Sequence, residues 1–478
     1  MGLGRAALVG VGAMVAGAVA LSGGSGTDPR TPRGLPGMPA PFLGTAVVGS
    51  GARTAAVDAY GNVVDLRAPG PAGEAVLAVP AGRLAAGSVE PEMAIVARAP
   101  LADGRELPFW RADSVRQAYV PRTNVLRTEA RFGERRFAVV RRAGGPGSGR
   151  ADRRWLARAR PLAAGAPAWA RRMYGRSLLV LRALTDRRSG AVAAGARDGW
   201  AYVWPRDAAA VALAYAAAGY RAEARRVSRF LLRLDLEAAA RFRGTGEPVP
   251  ERDAQGDTAG WVAAAARAAG LPAPGLSHPW RGRADYQEGD AGDYLANAIA
   301  STAADGPQNG QIGRFAARWR LLGFATPRGL VRVVDDPASG LDSAAAWAVR
   351  PFPVPALFPA VRLTLHRLLA ERESSFGIVP SERWRGGTDP WTAPTAWTAW
   401  ALASLARRGR GGGHSLEAGQ RDRRAALALM ADLRRASAPL GLLPERVDAE
   451  TGLPRSTTPL AWSHAFAILA LRELWPSA

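Results

Sequence analysis

From Leu156 onward the chain passes through one alanine-rich, apolar segment after another, each closed by a short polar or Gly/Pro loop. Spacing of the apolar positions predicts helices near Ala168–Arg187, Pro205–Ala218, Arg221–Arg241, Asp257–Ala269, Asp290–Ala304 and Gln311–Leu322. It predicts more near Asp342–Trp347, Ala356–Arg372, Pro394–Arg407, Leu416–Ser437 and Pro459–Leu474. Helices arranged in pairs, with no strand pattern between most of them, argue against a parallel α/β fold. No fixed sequence period is evident, which disfavours an open repeat array. A closed helical toroid remains, and in a toroid the loops at one end converge on a pocket.

Before that region the pattern changes. Residues 42–143 alternate apolar and polar positions between turn residues, as in Val115–Val120, Asn124–Phe132 and Arg136–Val140. A small β-sandwich is the simplest account. Gly144–Gly149 reads as a linker, which places a helical domain over residues 150–478. At the start, Arg5 precedes an apolar or small run from Ala6 to Leu21, and Ala18-Val-Ala20 resembles a cleavage site. Residues 1–26 therefore read as an export signal or a membrane anchor, followed by a Gly/Ser/Thr/Pro-rich linker over residues 27–41. Either reading puts the bulk of the chain outside the cytoplasm, secreted or held at the membrane.

Composition narrows the function classes. There is no cysteine, which excludes disulfides, thiolate metal sites and cysteine lipidation. There is no lysine either, so all 63 basic residues are arginines and the net charge is +22. Such a field favours anionic surfaces. The arginines are scattered and carry no nucleic-acid motif, so no nucleic-acid partner is expected. His278, His366, His414 and His464 show no ligand spacing, and no metal or other cofactor is expected. His464 reads as a packed helix residue rather than a base. Gly409–Gly413 lacks the Lys and Ser/Thr of a phosphate loop and reads as a flexible loop.

Four stretches put carboxylates at helix mouths beside aromatics. The first is Trp204-Pro-Arg-Asp207, where Pro205 suits the first turn of a helix. The others are Asp285-Tyr-Gln-Glu288, Asp389-Pro-Trp391, and Pro444-Glu445 followed by Trp462-Ser-His464. A carboxylate there can simply cap its helix, which is worth about 1 kcal/mol and does no chemistry. Alternatively, two carboxylates on rigid loops can hydrolyse a glycoside. One must carry a proton for the leaving oxygen, and the other must be ionised to activate water or attack carbon. Indole and phenol faces cover sugar rings, and Arg–Asp pairs fix hydroxyls.

Arg197-Asp-Gly-Trp-Ala-Tyr-Val-Trp-Pro-Arg-Asp207 resembles the signature of glycoside hydrolase family 15, the glucoamylase-type exo-glucosidases. Further stretches resemble that family in its own order: Gln117–Thr128, Asp285–Glu288, Asp389–Trp397, Leu443–Glu445 and Pro459–His464. The resemblance covers residues 42–475. It implies an all-α (α/α)6 toroid behind a small N-terminal β-sandwich, and an inverting, metal-independent glycosidase. The substrate would be an oligosaccharide or polysaccharide, losing a monosaccharide from its non-reducing end. Glu288 would be the general acid and Glu445 the general base. Arg206 and Asp207 would hold the terminal sugar, Trp204 would stack on it, and Trp391 and Trp462 would line the pocket. Two positions depart from the family. Gln287 stands where the family usually has Trp, and Gly289 where many members have a second Glu. A glycan-binding envelope protein of the same fold without hydrolysis is the alternative. A terpene-cyclase-like toroid would need a run of metal-binding aspartates, and the sequence has none.

Overall fold

The computed structural model describes residues 16–21, 46–79, 94–273, 279–304, 321–408, 416–437 and 439–477. The helix expected over 311–322 lies outside them except for its last two positions, and so do the loop 409–413, His278, His414 and most of 1–41.

The N-terminal part is built from antiparallel strands. Strands β1 (Ala16–Leu21), β2 (Ala46–Gly49), β3 (Thr54–Val57), β4 (Val63–Ala68), β5 (Glu74–Ala78), β6 (Arg98–Pro100), β7 (Glu106–Pro108), β8 (Ser114–Tyr119), β9 (Leu126–Phe132) and β10 (Arg135–Arg141) follow in order. They form two four-stranded sheets, β2-β3-β4-β5 and β1-β10-β9-β8, and the ribbon β6-β7. Ala46, Val48, Ala55, Val57 and Val63 share one apolar cluster with Leu126. The alternate residues Val47, Ala56 and Val64 face the helical core instead. Strands β2 and β3 are thus apolar on both faces, which explains why they are Ala/Val-rich runs, whereas β5 is largely exposed. Strand β1 falls inside the run read as an export signal and pairs with β10.

The helical part starts earlier than the composition suggests. The stretch read as a linker ends in α1 (Ser148–Leu156). Then come α2 (Ala168–Leu184), α3 (Pro205–Ala217), α4 (Arg221–Leu231), α5 (Thr258–Ala268) and α6 (Leu295–Ala304). Helix α4 is ten residues shorter than expected. Past Leu231 the Asp235 carboxylate accepts the Glu237 N–H at 3.1 Å, a local turn that competes with the helix. A three-stranded sheet then intervenes: β11 (Ala325–Thr326), β12 (Gly329–Val333) and β13 (Asp336–Leu341). The sequence pattern missed it because its strands are short and β13 opens with Asp-Pro-Ala-Ser-Gly, a turn-like run. After it come a 3-10 turn, Ser343–Ala348, and helices α7 (Phe358–Ala370), α8 (Thr392–Arg408), α9 (Leu416–Ala436) and α10 (Ala461–Leu474).

Six of these segments close a ring. Helix α3 packs on α5, α5 on α6, α6 on the turn Ser343–Ala348, the turn on α8, α8 on α10, and α10 again on α3. They are apolar all round: Thr258–Ala266, Thr392–Ala406 and Ala461–Leu471 are buried without interruption. A helix of that kind belongs inside. The outer layer is one-sided. Helix α4 buries Ala224, Val227, Phe230 and Leu231 and shows its arginines to solvent. Helices α2, α4, α7 and α9 back the ring from outside. Alanine and glycine allow the inner backbones to approach closely. A Cβ on Gly260 of α5 would stand 2.0 Å from the Ala300 carbonyl oxygen of α6. The bore is filled by aromatic rings: Trp261 against Trp347 at 5.0 Å, Trp347 against Trp397 at 5.3 Å, and Trp397 against Trp462 at 5.4 Å, all edge to face. Among the described residues no helix is long and apolar enough to cross a membrane.

Candidate active site

Above this aromatic plug the inner helices begin, and the loops that lead into them surround a hollow. Trp204 immediately precedes α3, Trp391 precedes α8 and Leu460 precedes α10. Backbone hydrogen bonds tie the loops together. Glu445 C=O accepts from Thr392 N–H at 2.9 Å, Glu445 N–H donates to Thr457 C=O at 2.9 Å, and Ala461 N–H donates to Ala194 C=O at 2.7 Å. Counted with the solvent space at its mouth, the hollow measures about 620 Å³. All seven residues singled out in the sequence line it: Trp204, Arg206, Asp207, Glu288, Trp391, Glu445 and Trp462.

Arg206 and Asp207 occupy the first turn of α3, where a carboxylate is favoured by the helix N-terminus. Both are buried, at 3% and 5% exposure. Arg206 donates to Gln255 Oε1 at 2.6 Å, pairs with Asp257 at 3.3 Å and Asp207 at 3.4 Å, and lies 4.7 Å from the Trp462 ring centre. Burial works against its charge, and Asp257 and Asp207 more than offset this. Burial pushes the Asp207 carboxyl up to about 7; Arg206 opposes that rise while Glu445 and Asp257 add to it. Trp391 Nε1 and Trp462 Nε1 make no hydrogen bond within the protein, and Asp207 Oδ2 has only the Arg206 guanidinium beside it, at 3.4 Å. Buried polar atoms are rarely left so.

Glu445 is half-buried, and its desolvation raises its carboxyl above the ordinary value, against the Ser456 hydroxyl and the charge of Arg446. Ser456 Oγ donates to Glu445 Oε2, and Trp200 adds a second side-chain hydrogen bond.

Glu288 is held differently. Its φ is +55°, unusual for a residue with a side chain, so the turn from Asp285 aims it deliberately. The turn is anchored from below. Arg332 of β12 joins Asp285 at 2.8 Å and Asp342 at 3.2 Å, and the Tyr286 hydroxyl donates to Asp342 at 2.8 Å. Gln287 Nε2 donates to the Tyr286 oxygen at 2.9 Å. At the tip, Glu288 Oε1 accepts from Trp204 Nε1 at 2.7 Å and Gln255 Nε2 at 3.3 Å, while Oε2 pairs with Arg252. Trp204 therefore lines the hollow with its N–H already committed.

Sequence reasoning did not name several neighbours of these groups. Trp200 and Tyr286 lay in quoted motifs without a role, and both line the hollow. Arg252, Gln255, Asp257 and Arg332 lay outside every motif. Arg252 and Gln255 fall in the connection from α4 to α5, one of the outer-to-inner connections, all of which arrive at this end of the ring. That topological position is the signal that could have found them. His464 is remote from the chemistry. It is buried, accepts from Leu443 N–H on Nε2 at 3.0 Å, and faces Ser177 Oγ at 2.9 Å through Nδ1. Burial depresses its pKa to about 3, which makes it a neutral packing residue. Asp389 does not line the hollow. No group of His, Cys, Asp or Glu among the described residues could hold a metal ion.

The model of the family described as Glycosyl hydrolases family 15 matches residues 168–255, from the start of α2 to Gln255. No curated protein sequence matches the chain. A bacterial glucoamylase complexed with acarbose superposes over 96% of this chain and 98% of its own, at 13% identity and a TM-score of 0.57. A glucoamylase from Saccharomycopsis fibuligera covers 66% of this chain and 96% of its own, at 15% identity and a TM-score of 0.52. A structure titled "Glycosidase Wild Type" covers 67% and 98%, at 18% identity and a TM-score of 0.52. At these identities the structural likeness is one of fold. The chain is similar to glycoside hydrolase family 15 in the sequence of residues 168–255, and over nearly its whole described length it has the fold of a glucoamylase.

Proposed function

We propose that this chain is an exported glycoside hydrolase that removes one sugar, glucose, from the non-reducing end of an α-linked glucan or glycoside, with inversion. One observation carries the reading: seven side chains from five separate stretches, 204–207, 288, 391, 445 and 462, converge on one hollow. A hollow built on the aromatic plug is blind at its floor, which suits a chain end rather than a chain interior. Arg206 and Asp207 would hold the hydroxyls of the terminal sugar, with Trp462 and Trp391 against its apolar faces. Glu445, ionised, would take a proton from water as the water attacks the anomeric carbon. Glu288 would give a proton to the departing glycosidic oxygen. The glycosidic bond breaks, a bond to the water oxygen forms, and the two carboxyls exchange protonation states until solvent resets them. Inversion requires the two carboxyls to stand about 6.5–9.5 Å apart around that water. The apolar run preceding residue 22 supports export.

A second reading has its own observation. Glu288 is ion-paired to Arg252, and a carboxylate so paired favours its ionised form and is a poor acid. A chain arrested in that state would bind a glycan end at the envelope without cutting it. Incubating the purified protein with a panel of α-glucans and trehalose separates the two. Sugar release from any of them supports the hydrolase; saturable binding with no release supports the binder.

A further inference from the structure

The Arg252–Glu288 pair stands between two spaces. Inside is the hollow. Outside is a larger groove of about 1290 Å³, which these two residues also line, together with Glu237, Glu251, Asp253 and Asp290. Most of the groove's other carboxylates are already engaged. Glu237 pairs with Arg283 at 2.7 Å, Glu251 with Arg241, and Asp290 with Arg385 at 3.3 Å. Arg252 spends its charge on Glu288, with 46% of its side chain exposed, so an anion in the groove can reach it. Its backbone is fixed: the Arg252 carbonyl accepts Ala240 N–H at 3.0 Å. Movement of the residue is therefore movement of the side chain.

Both oxygens of Glu288 accept from donors, Oε1 from Trp204 and Gln255 and Oε2 from Arg252. A carboxyl placed so seldom carries the proton it must give, which slows the cleavage of a neutral substrate. To serve a leaving oxygen, Oε2 must lose the guanidinium and gain a proton. A neutral leaving group offers Arg252 no anion in exchange for Glu288, whereas an anionic group offers a charge-assisted, bidentate partner.

We propose that Arg252 determines specificity: the site is built for glycosides whose leaving portion carries an anionic group, and that anion draws Arg252 off Glu288 as the substrate seats. The inference rests on the reading of the hollow as a site for a terminal glucoside. Arg252 then has two partners in turn. Free protein stores it on Glu288; bound substrate takes it into the groove and leaves Glu288 open to protonation from solvent.

Two disaccharides matched in size and flexibility test this. Maltobionate and maltitol share the α-glucosyl unit and an open-chain leaving group, and differ by one carboxylate. Affinity is measured by calorimetry, alongside release of glucose, for the wild type, Arg252→Ala and Arg252→Lys. The wild type should bind maltobionate at least about tenfold more tightly than maltitol, as expected for one charge-assisted pair. Arg252→Ala should lose that preference and cleave maltitol about tenfold faster than the wild type, because the acid is no longer paired. Arg252→Lys, which keeps the charge without the fork, should retain part of the preference. Equal wild-type affinities, a preference that survives in Arg252→Ala, or slower maltitol cleavage by Arg252→Ala would each overturn the proposal. A preference in binding with no glucose released by any variant would keep the anion site and remove the hydrolase. Binding of neither compound would remove both.

Discussion

The guanidinium of Arg206 lies 4.7 Å from the centre of the Trp462 ring and is surrounded by Gln255, Asp207 and Asp257. The first residue of the Arg–Asp pair is thus both a wall of the hollow and the counter-ion of two buried carboxylates. These roles make its substitutions unequal to those of Asp207. Removing one partner of a buried pair costs about 3–5 kcal/mol, because the other charge is left uncompensated. Arg206→Ala should therefore lower the melting temperature clearly, whereas Asp207→Asn should melt near the wild type and lose affinity for maltose. Thermal melts and calorimetry on the two variants check this. An Asp207→Asn protein that fails to fold would make the pair a structural element and not a sugar clamp.

Asp207 also gives the site a pH dependence. Its carboxyl is pushed by burial to about 7 from 3.8. The folded chain holds a proton there that the unfolded chain has released, so ionising Asp207 costs stability. Its contribution falls as pH rises from about 4 through 7. In the folded chain its oxygen changes from donor to acceptor around pH 7, and maltose affinity should step there. In Asp207→Asn both the step and that part of the stability slope should vanish. A step that persists in the variant assigns it to another group.

Gly260 tests the packing of the ring. A methyl group there meets the Ala300 carbonyl oxygen at 2.0 Å, and backbone cannot yield as a side-chain tip can. Alanine would gain about 1 kcal/mol of helix propensity, against an overpacking cost of about 1–3 kcal/mol or more in a closed ring. Gly260→Ala is expected to be less stable than the wild type in urea. Equal or greater stability would mean that α5 and α6 can move apart freely.

The outline of the fold was legible because each layer has its own pattern. The strands β8 and β9 alternate, the outer helices are one-sided, and the inner helices are apolar all round. The 3-10 turn Ser343–Ala348 read as a helix because it is an alanine-rich stretch that the ring buries completely, and burial imposes the same composition on either backbone. The sheet β11-β12-β13 was not legible, since Asp336-Pro-Ala-Ser-Gly reads as a turn. In the site, the residues that lie beside proline or at a helix mouth could be picked out. Trp204, Arg206, Asp207 and Trp391 are of that kind. Arg252 and Arg332 could not, because what gives them a role is a partner far away in sequence. Arg332 reaches Asp285 across 47 positions, and Arg252 reaches Glu288 between connections on either side of α5. One of these unread residues now sets the state of Glu288, which bears on whether the site cuts or only binds.

The central proposition is that Glu445 and Glu288 act on one sugar as base and acid. It is tested most directly by a proton NMR time course of maltose with the wild type, Glu445→Gln and Glu288→Gln, which reads the anomeric form of glucose as it is released. β-Glucose should appear first with the wild type. Its release should fall by at least about a hundredfold in each variant, the usual scale for losing general acid–base catalysis. α-Glucose as first product, or release at the wild-type rate by Glu445→Gln, would contradict the assignment of these two carboxyls.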